Sequence, residues 1–445
     1  MRALVYGLAV TGASTVRALQ RRGADVVVAD DSVTDERRAV AEALGVELLE
    51  DPGVSELADL LGRIDLVSPS PGVPETHRVI ATARDRGVPV RSEIDLAYEW
   101  EQARPGGPRP MLAVTGTDGK TTTTLLAEAM LRAGGVRAVA AGNTELPLVD
   151  AIDLDVDALV VECSSFRLAF IDAFRAEASV WLNLAPDHQN WHVDMASYEA
   201  AKARMWRHVR ADDVAIGWAD DPVVMRNLAT VACRTRTFAR HGGDYRVDGS
   251  SLVGPQGVFC EVTAMRRSLP HDLTNALAAA ALVMEPALVA PAAVGAALGE
   301  FRGPPHRIEL VAEADGVRWY DDSKATSPHA ALTAIRAFER LVLIAGGRNK
   351  GLDLGLLAQE SARIVAVVAI GEAAGELVAA FEGRTPVEVA GSMEDAVVAA
   401  RRLARPGDAV VLSPACASFD WYDGYASRGE DFVHRVRDVL GEEVR

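Results

Sequence analysis

Residues 112–124 read LAVTGTDGKTTTT, and their order is that of a phosphate-binding loop. Gly116 and Gly119 let the backbone curl so that N–H groups face inward toward oxygens. Lys120 stands where an ammonium reaches outer phosphates, and the Thr121 hydroxyl can ligate Mg²⁺. Thr117, Asp118 and Thr122 complete the loop. The spacing departs from G-x-x-x-x-G-K-[ST], because Val114 holds the place of the first glycine. The bland alternative is a tight turn with a surface lysine. The flanks favour nucleotide binding. Leu112-Ala113-Val114 is an apolar run of strand type, and residues 125–131 suit a helix whose N-terminus adds partial positive charge.

Other candidate groups also stand at strand ends. Glu162 closes the apolar run 158–161 and precedes Cys163-Ser164-Ser165-Phe166. A carboxylate there, in a sheet carrying a phosphate loop, is placed for Mg²⁺. A strand expected over 179–184 leads into Asp187-His188-Gln189-Asn190-Trp191-His192, a cluster suited to metal or phosphate contacts. A helix over 196–208 carries Lys202 among small and apolar residues. On spacing alone that lysine reads as a snorkelling surface residue.

These groups need α/β scaffolding, and the chain supplies the pattern: short Val/Ile/Ala-rich runs alternate with longer helical stretches. At roughly 150 residues per domain, 445 residues suggest about three domains. Breaks at 104–110 (RPGGPRP) and 301–307 (FRGPPHR) divide the chain into 1–107, 108–303 and 304–445. The first segment opens with a strand at 3–6, the turn GLAVTG, a helix through Leu19 and a strand at 26–29 ending in Asp30. This βαβ pattern also fits an NAD-dependent oxidoreductase, although Ala9 occupies the second glycine position of G-x-G-x-x-G. Ser68-Pro69-Ser70-Pro71-Gly72 reads as a second turn that is either a crevice lining or a rigid proline turn. In the last segment, strands are expected at 319–320, 341–345, 365–370, 387–389 and 409–412. Three of them end in turns rich in Lys, Ser, Thr and Gly, as a crevice for an anionic substrate would use.

A net charge of −17 argues against a nucleic-acid partner. No apolar run reaches membrane-spanning length, and Met1-Arg2 leads into a strand without a signal-peptide pattern. The four cysteines lie far apart, so neither a zinc knuckle nor a disulfide framework is suggested. A cytoplasmic protein without membrane insertion is expected.

Taken together, GLAVTG, SPGVP, TGTDGKTT, GNTELP, ECSSF, DHQNWH, AAKARMW, PHDLTNALAA, GPPHR, DDSKATS, AGGRNKG and LSPACASFDWY resemble the Mur ligases over the whole chain. The resemblance implies an N-terminal Rossmann-like domain for a UDP-substrate, a central P-loop ATPase-like domain with a mostly parallel sheet, and a C-terminal Rossmann-like domain for an amino acid. DSKAT with SPACAS points to the member that uses ATP and Mg²⁺ to join D-glutamate to UDP-N-acetylmuramoyl-L-alanine through an acyl phosphate, in peptidoglycan precursor synthesis. It implies that Lys120 holds the β/γ-phosphates, that Thr121 and Glu162 bind one Mg²⁺, and that His188 binds a second. Lys202 matches a carbamylated lysine bridging toward that metal, which reverses the surface reading. Asn275, Arg307 and Asp322 fall at adenine, phosphate and ribose positions. Lys324, Thr326, Lys350, Ser418, Phe419 and Tyr425 fall around the incoming amino acid. Val10, Thr11, Asp30 and Gly72 fall around the uridine diphosphate, with Asn143 and Ser164 on the substrate side. A monomer is expected.

Several positions depart from the family pattern: Glu145 within GNTELP, Arg167 where ECSSF continues with Gln, Asn190, Leu269, Asp272, Ser327 and Tyr425. Arg167 in particular suggests an extra cation near the acyl end and hence a more anionic or altered substrate. A ligase for L-glutamate or another amino acid, and a non-catalytic nucleotide-binding homologue, remain the alternatives.

Overall fold

Alternation along the strands sorts the central core. In the computed structural model, which describes residues 1–188 and 191–441, Leu112, Val114, Val160, Val180 and Ile216 face one buried cluster. Their neighbours Met111, Ala113, Leu159, Val161, Trp181 and Ala215 face the other. A period of two with both faces apolar is the pattern of a parallel sheet covered by helices on both sides.

The chain forms two compact units, Met1–Phe301 and Arg302–Arg445. In the first, β1 (Arg2–Tyr6), β2 (Asp25–Asp30), β3 (Glu47–Glu50) and β4 (Leu66–Pro69) make a parallel sheet of order β3-β2-β1-β4. Strand β4 runs two residues into the stretch expected to be turn, and Pro69 pairs with Tyr6. An edge strand tolerates that proline because its outer side needs no ladder donor.

The second sheet of this unit contains β5 (Met111–Thr115), β6 (Ala138–Gly142), β7 (Ala158–Glu162), β8 (Ala178–Trp181), β9 (Val214–Trp218) and β10 (Arg234–Phe238). All pairs are parallel, in the order β10-β9-β8-β5-β7-β6. Strand β5 lies between β7 and β8, so the crossovers diverge beside it and a crevice opens at its carboxyl end. The helix Pro270–Met284 is buried from Asn275 to Met284, and its alanines let it pack closely into the cluster shared with the helix Lys120–Ala133.

Two expected elements are shorter than their patterns. The strand over 179–184 ends at Trp181, because Asn183 turns to bind the phosphate loop. The helix over 196–208 is Met195–Ala203, followed by a 3₁₀ turn at Arg204–Trp206. The antiparallel sheet of β11 (Arg246–Asp248), β12 (Ser251–Gly254) and β13 (Gly257–Glu261) was not anticipated.

The second unit has one sheet: β14 (Glu309–Ala314), β15 (Val317–Asp321), β16 (Leu341–Gly346), β17 (Ile364–Ile370), β18 (Val387–Val389) and β19 (Ala409–Leu412). Its order is β14-β15-β19-β16-β17-β18, with β14 antiparallel to β15 and the other pairs parallel. The expected strands are present, and the antiparallel edge strand β14 is additional. Among the described residues, no helix is long and apolar enough to cross a membrane.

Candidate active site

The register of the central sheet brings the predicted groups to one edge. Val114 pairs with Glu162, and Thr115 with Trp181, so the loop after β5 lies level with the ends of β7 and β8. The following helix starts at Lys120, and its first N–H groups point toward the loop without intrahelical acceptors. Thr121 is half-buried and Thr122 buried in this first turn. Gly119 is the N-cap, with φ +82°, and a Cβ there would stand 2.6 Å from Asn275 Oδ1. Gly119→Ala is therefore expected to cost about 1–3 kcal/mol of stability, seen as a lower melting temperature, and to displace the Asn275 carboxamide.

Asn183 holds the loop's shape. Its Oδ1 accepts the N–H groups of Thr117 and Asp118, both at 2.9 Å, and its Nδ2 donates to Asp118 O at 3.2 Å. The Thr117 hydroxyl lies 3.1 Å from the Tyr198 hydroxyl. Neither Asn183 nor Tyr198 was singled out from sequence. The only sequence signal for Asn183 is its place just after an apolar strand.

Two lysines converge on a single carbonyl. Lys120 Nζ donates to Gly116 O at 3.0 Å and Thr117 O at 2.8 Å, while Lys202 Nζ donates to Gly116 O at 2.6 Å. Lys202 is 1% exposed and sits 4.6 Å from the Tyr198 ring centroid. It is not a snorkelling residue. Burial, and then the neighbouring Lys120 charge, hold its pKa well below the ordinary lysine value. These surroundings favour the neutral amine over the ammonium relative to a lysine in water.

Glu162 is 1% exposed, and its Oε1 accepts from Asn143 Nδ2 at 2.9 Å. Among the described residues, its buried Oε2 has no hydrogen-bond partner. A buried carboxylate oxygen left unpaired beside a phosphate loop fits a divalent cation. His188 has φ +55° and packs edge-on against Phe166 at 4.6 Å. Burial lowers its pKa, Asp187 works against that shift, and Lys120 and Lys202 add to it. A neutral imidazole is the form that ligates metal. His192 is buried and hydrogen-bonded to the Ser165 hydroxyl at 2.9 Å, so it supports the site rather than facing it. Gln189 and Asn190 lie outside the described residues.

At the N-terminal sheet, Gly7 and Gly12 allow a tight first turn. A Cβ on Gly12 would fall 2.0 Å from Gly7 O. Ser70 Oγ donates to Gly7 O at 2.6 Å, tying the second turn to the first. Val10 is 72% exposed and Gly72 is exposed, so both are open to a ligand. Asp30 is committed to the chain itself: Leu8 N donates to Oδ2 at 2.8 Å, Ser32 N to Oδ1 at 3.1 Å and Arg37 to Oδ1 at 2.7 Å. The expectation for Arg167 needs correction. It is 4% exposed and paired with Glu93 at 2.8 Å. Its charge is balanced within the protein and gives no reason to expect a more anionic substrate. Ser164 caps the short helix Ser165–Leu168, and Glu145 is exposed. Asp272 accepts from Leu269 N and Arg267 at the start of the helix Pro270–Met284, a structural use.

In the second unit, the buried Asp322 directly follows β15 and accepts from Ser413 Oγ at 2.7 Å and Ile308 N at 3.2 Å. Burial pushes its pKa up to about 7, against the pull of Ser413 and Arg307. Lys324 Nζ lies 5.3 Å from the Tyr425 ring centroid. Thr326 is half-buried, Lys350 is exposed, Ser418 is buried and Phe419 is 57% exposed. Ser327 caps the helix Pro328–Arg336. The residue missed here is Arg428. This buried guanidinium donates to Ser323 Oγ and O at 2.9 Å each, to Cys416 O at 3.1 Å and to Gly346 O at 3.5 Å. It joins all three strand-end turns. Nothing in its sequence surroundings, an ordinary amphipathic helix, signals the role.

Comparison with known proteins places the chain among relatives over nearly its whole length. Family models match over residues 1–92 (Mur ligase MurD-like, N-terminal domain), 114–283 (Mur ligase middle domain) and 306–416 (Mur ligase, glutamate ligase domain). A UDP-N-acetylmuramoylalanine–D-glutamate ligase of Frankia casuarinae is 43% identical, covering 98% of this chain and 93% of the relative. One from Thermobifida fusca is 39% identical and covers 99% of both chains. The MurF ligase of Thermotoga maritima, solved in complex with ADP, shares the fold with a TM-score of 0.61 at 17% identity, covering 99% of this chain and 98% of its own. With matches to all three parts of the fold and full-length relatives at this identity, the chain belongs to the Mur ligase family, on its MurD-like branch.

Proposed function

We propose that the protein ligates D-glutamate to UDP-N-acetylmuramoyl-L-alanine at the expense of ATP. The observation that carries this reading is the buried Lys202 amine beside the phosphate loop, facing the same crevice end as Glu162. The names of the 43% and 39% identical relatives support the choice of substrates. A carboxylate is a poor electrophile, and transfer of the γ-phosphoryl group from ATP to one of its oxygens provides a leaving group. The glutamate amine then forms the new N–C bond, phosphate departs with the oxygen it carried, and the amine proton passes to solvent.

In this reading the chain positions and neutralises. The helix N-terminus and Lys120 hold the β/γ-phosphates. Thr121, Glu162, His188 and a modified Lys202 would hold Mg²⁺, which supplies charge neutralisation on the transferring phosphoryl group. The lowered pKa of Lys202 serves the modification: a neutral amine adds CO₂ through a new N–C bond, and the resulting carbamic acid releases a proton to water. Asn275, Arg307 and Asp322 serve the nucleoside and phosphates. Lys324, Thr326, Lys350, Ser418, Phe419 and Tyr425 serve glutamate. Val10, Thr11 and Gly72 serve the uridine diphosphate, Asp30 shapes that turn, and Asn143 and Ser164 line the substrate side.

Phosphate release in the presence of ATP, Mg²⁺ and UDP-N-acetylmuramoyl-L-alanine is expected to require D-glutamate. Activity with L-glutamate or another amino acid in its place would move the assignment within the family. No release with any amino acid would overturn it.

A further inference from the structure

The buried Arg167 sits at a junction that the proposed reaction leaves unassigned. Its Nε donates to Glu93 Oε1 at 2.8 Å, one terminal nitrogen donates to Asn143 Oδ1 at 2.6 Å, and the other to Thr11 Oγ1 at 3.2 Å. The other Glu93 oxygen accepts from Val149 N at 3.3 Å, so the carboxylate is itself fixed. Asn143 passes the arrangement on: with its oxygen held by Arg167, its Nδ2 points to Glu162 Oε1 at 2.9 Å. Among the described residues, Oε2 of Glu162 then has no hydrogen-bond partner.

We propose that Arg167, anchored by Glu93, is a positioning residue that fixes the Asn143 carboxamide and so presents Glu162 Oε2 to the divalent cation. The geometry determines the sign. A carboxamide can turn over, and its oxygen would then face Glu162 Oε1, two acceptors in contact. The Arg167 donor prevents that inversion because it needs the Asn143 oxygen on its own side. Planar and forked, the guanidinium reaches Glu93, Asn143 and Thr11 at once, which a lysine cannot do. The contact to Thr11 also ties the first turn of the helix Val10–Arg21, which follows β1, to the same junction. The inference rests on the proposed metal role of Glu162.

The test reads metal affinity rather than turnover. Free Mn²⁺ is measured by electron paramagnetic resonance in titrations with a non-hydrolysable ATP analogue, alongside thermal melting. Arg167→Lys keeps a cation opposite Glu93 but loses the fork. It is expected to melt near the parent and to bind Mn²⁺ roughly 10–100-fold more weakly, the range for groups that orient metal ligands. A folded Arg167→Lys with parental Mn²⁺ affinity overturns the proposal. If that variant does not fold, Glu93→Gln/Arg167→Met removes both charges together and leaves Asn143 without its donor. Its Mn²⁺ affinity is expected to fall by a similar factor, and Glu93→Gln/Arg167→Gln, which returns an N–H donor, is expected to recover most of it. Parental affinity in the folded Met variant likewise overturns the proposal. Failure of the ligase reading has a different signature: the parent binds Mn²⁺ with the nucleotide analogue yet releases no phosphate with any amino acid.

Discussion

Lys202→Ala is expected to lose ligation activity by at least about a thousand-fold, ~4 kcal/mol of barrier, and to regain part of it when a short carboxylic acid is added. The physical basis is the amine's surroundings. A lysine 1% exposed, held by one carbonyl and facing a second lysine, is poorly placed as a cation. It is well placed as a neutral amine that takes up CO₂. Truncation leaves room for a small acid to restore the carboxylate, whereas Lys202→Met fills that room and is expected to stay inactive with or without the acid. Full activity of Lys202→Ala without any additive would remove the carbamate from the mechanism. Stability should move the other way. The folded pKa of Lys202 lies below its unfolded value of about 10.4, so the unfolded chain binds more protons between the two. Lys202 therefore penalises folding in full below its folded pKa, and the penalty fades as pH rises toward the unfolded value. In CO₂-free buffer, Lys202→Met is expected to melt above the parent, with the difference shrinking as pH rises through that window.

Lys120→Met is expected to lower kcat by roughly 10²–10³-fold, the range for removing one preorganised charge-stabilising donor. It has a second consequence. The Lys120 charge is the second contributor, after burial, to the lowered pKa of Lys202. Without it the Lys202 amine holds its proton to higher pH and takes up CO₂ less readily. The variant's residual activity should therefore respond to added bicarbonate more steeply than the parent's. Lys120→Met/Lys202→Ala should fall short of the sum of the single losses, as for residues acting at one centre. Equal bicarbonate dependence in parent and Lys120→Met would show that the two side chains act independently.

The parallel strands were legible because each is a short apolar run ending in turn chemistry, and the loop at 115–122 was legible because its glycines and lysine are local in sequence. Lys202 was not legible from spacing. Its helix is rich in small residues, and burial depends on what other segments place above it. Arg167 read as an added cation because its counter-charge, Glu93, lies 74 residues away. Asn183 and Arg428 act mostly through main-chain groups, which carry no residue-type signal. The antiparallel sheet around Leu252 and Phe259 was missed because its strands are only three to five residues long and partly exposed.

The Arg428 staple bears on how the second unit can change over evolutionary time. A single guanidinium takes its acceptors from Ser323, Gly346 and Cys416, so three turns far apart in sequence share one fixed point. A turn grafted from a relative with a different backbone path would withdraw an acceptor from a buried charge and disturb the other two turns. The three turns are therefore inherited as a block, and an exchange that carries all of them with the helix bearing Arg428 is the smallest transplant that leaves the charge satisfied.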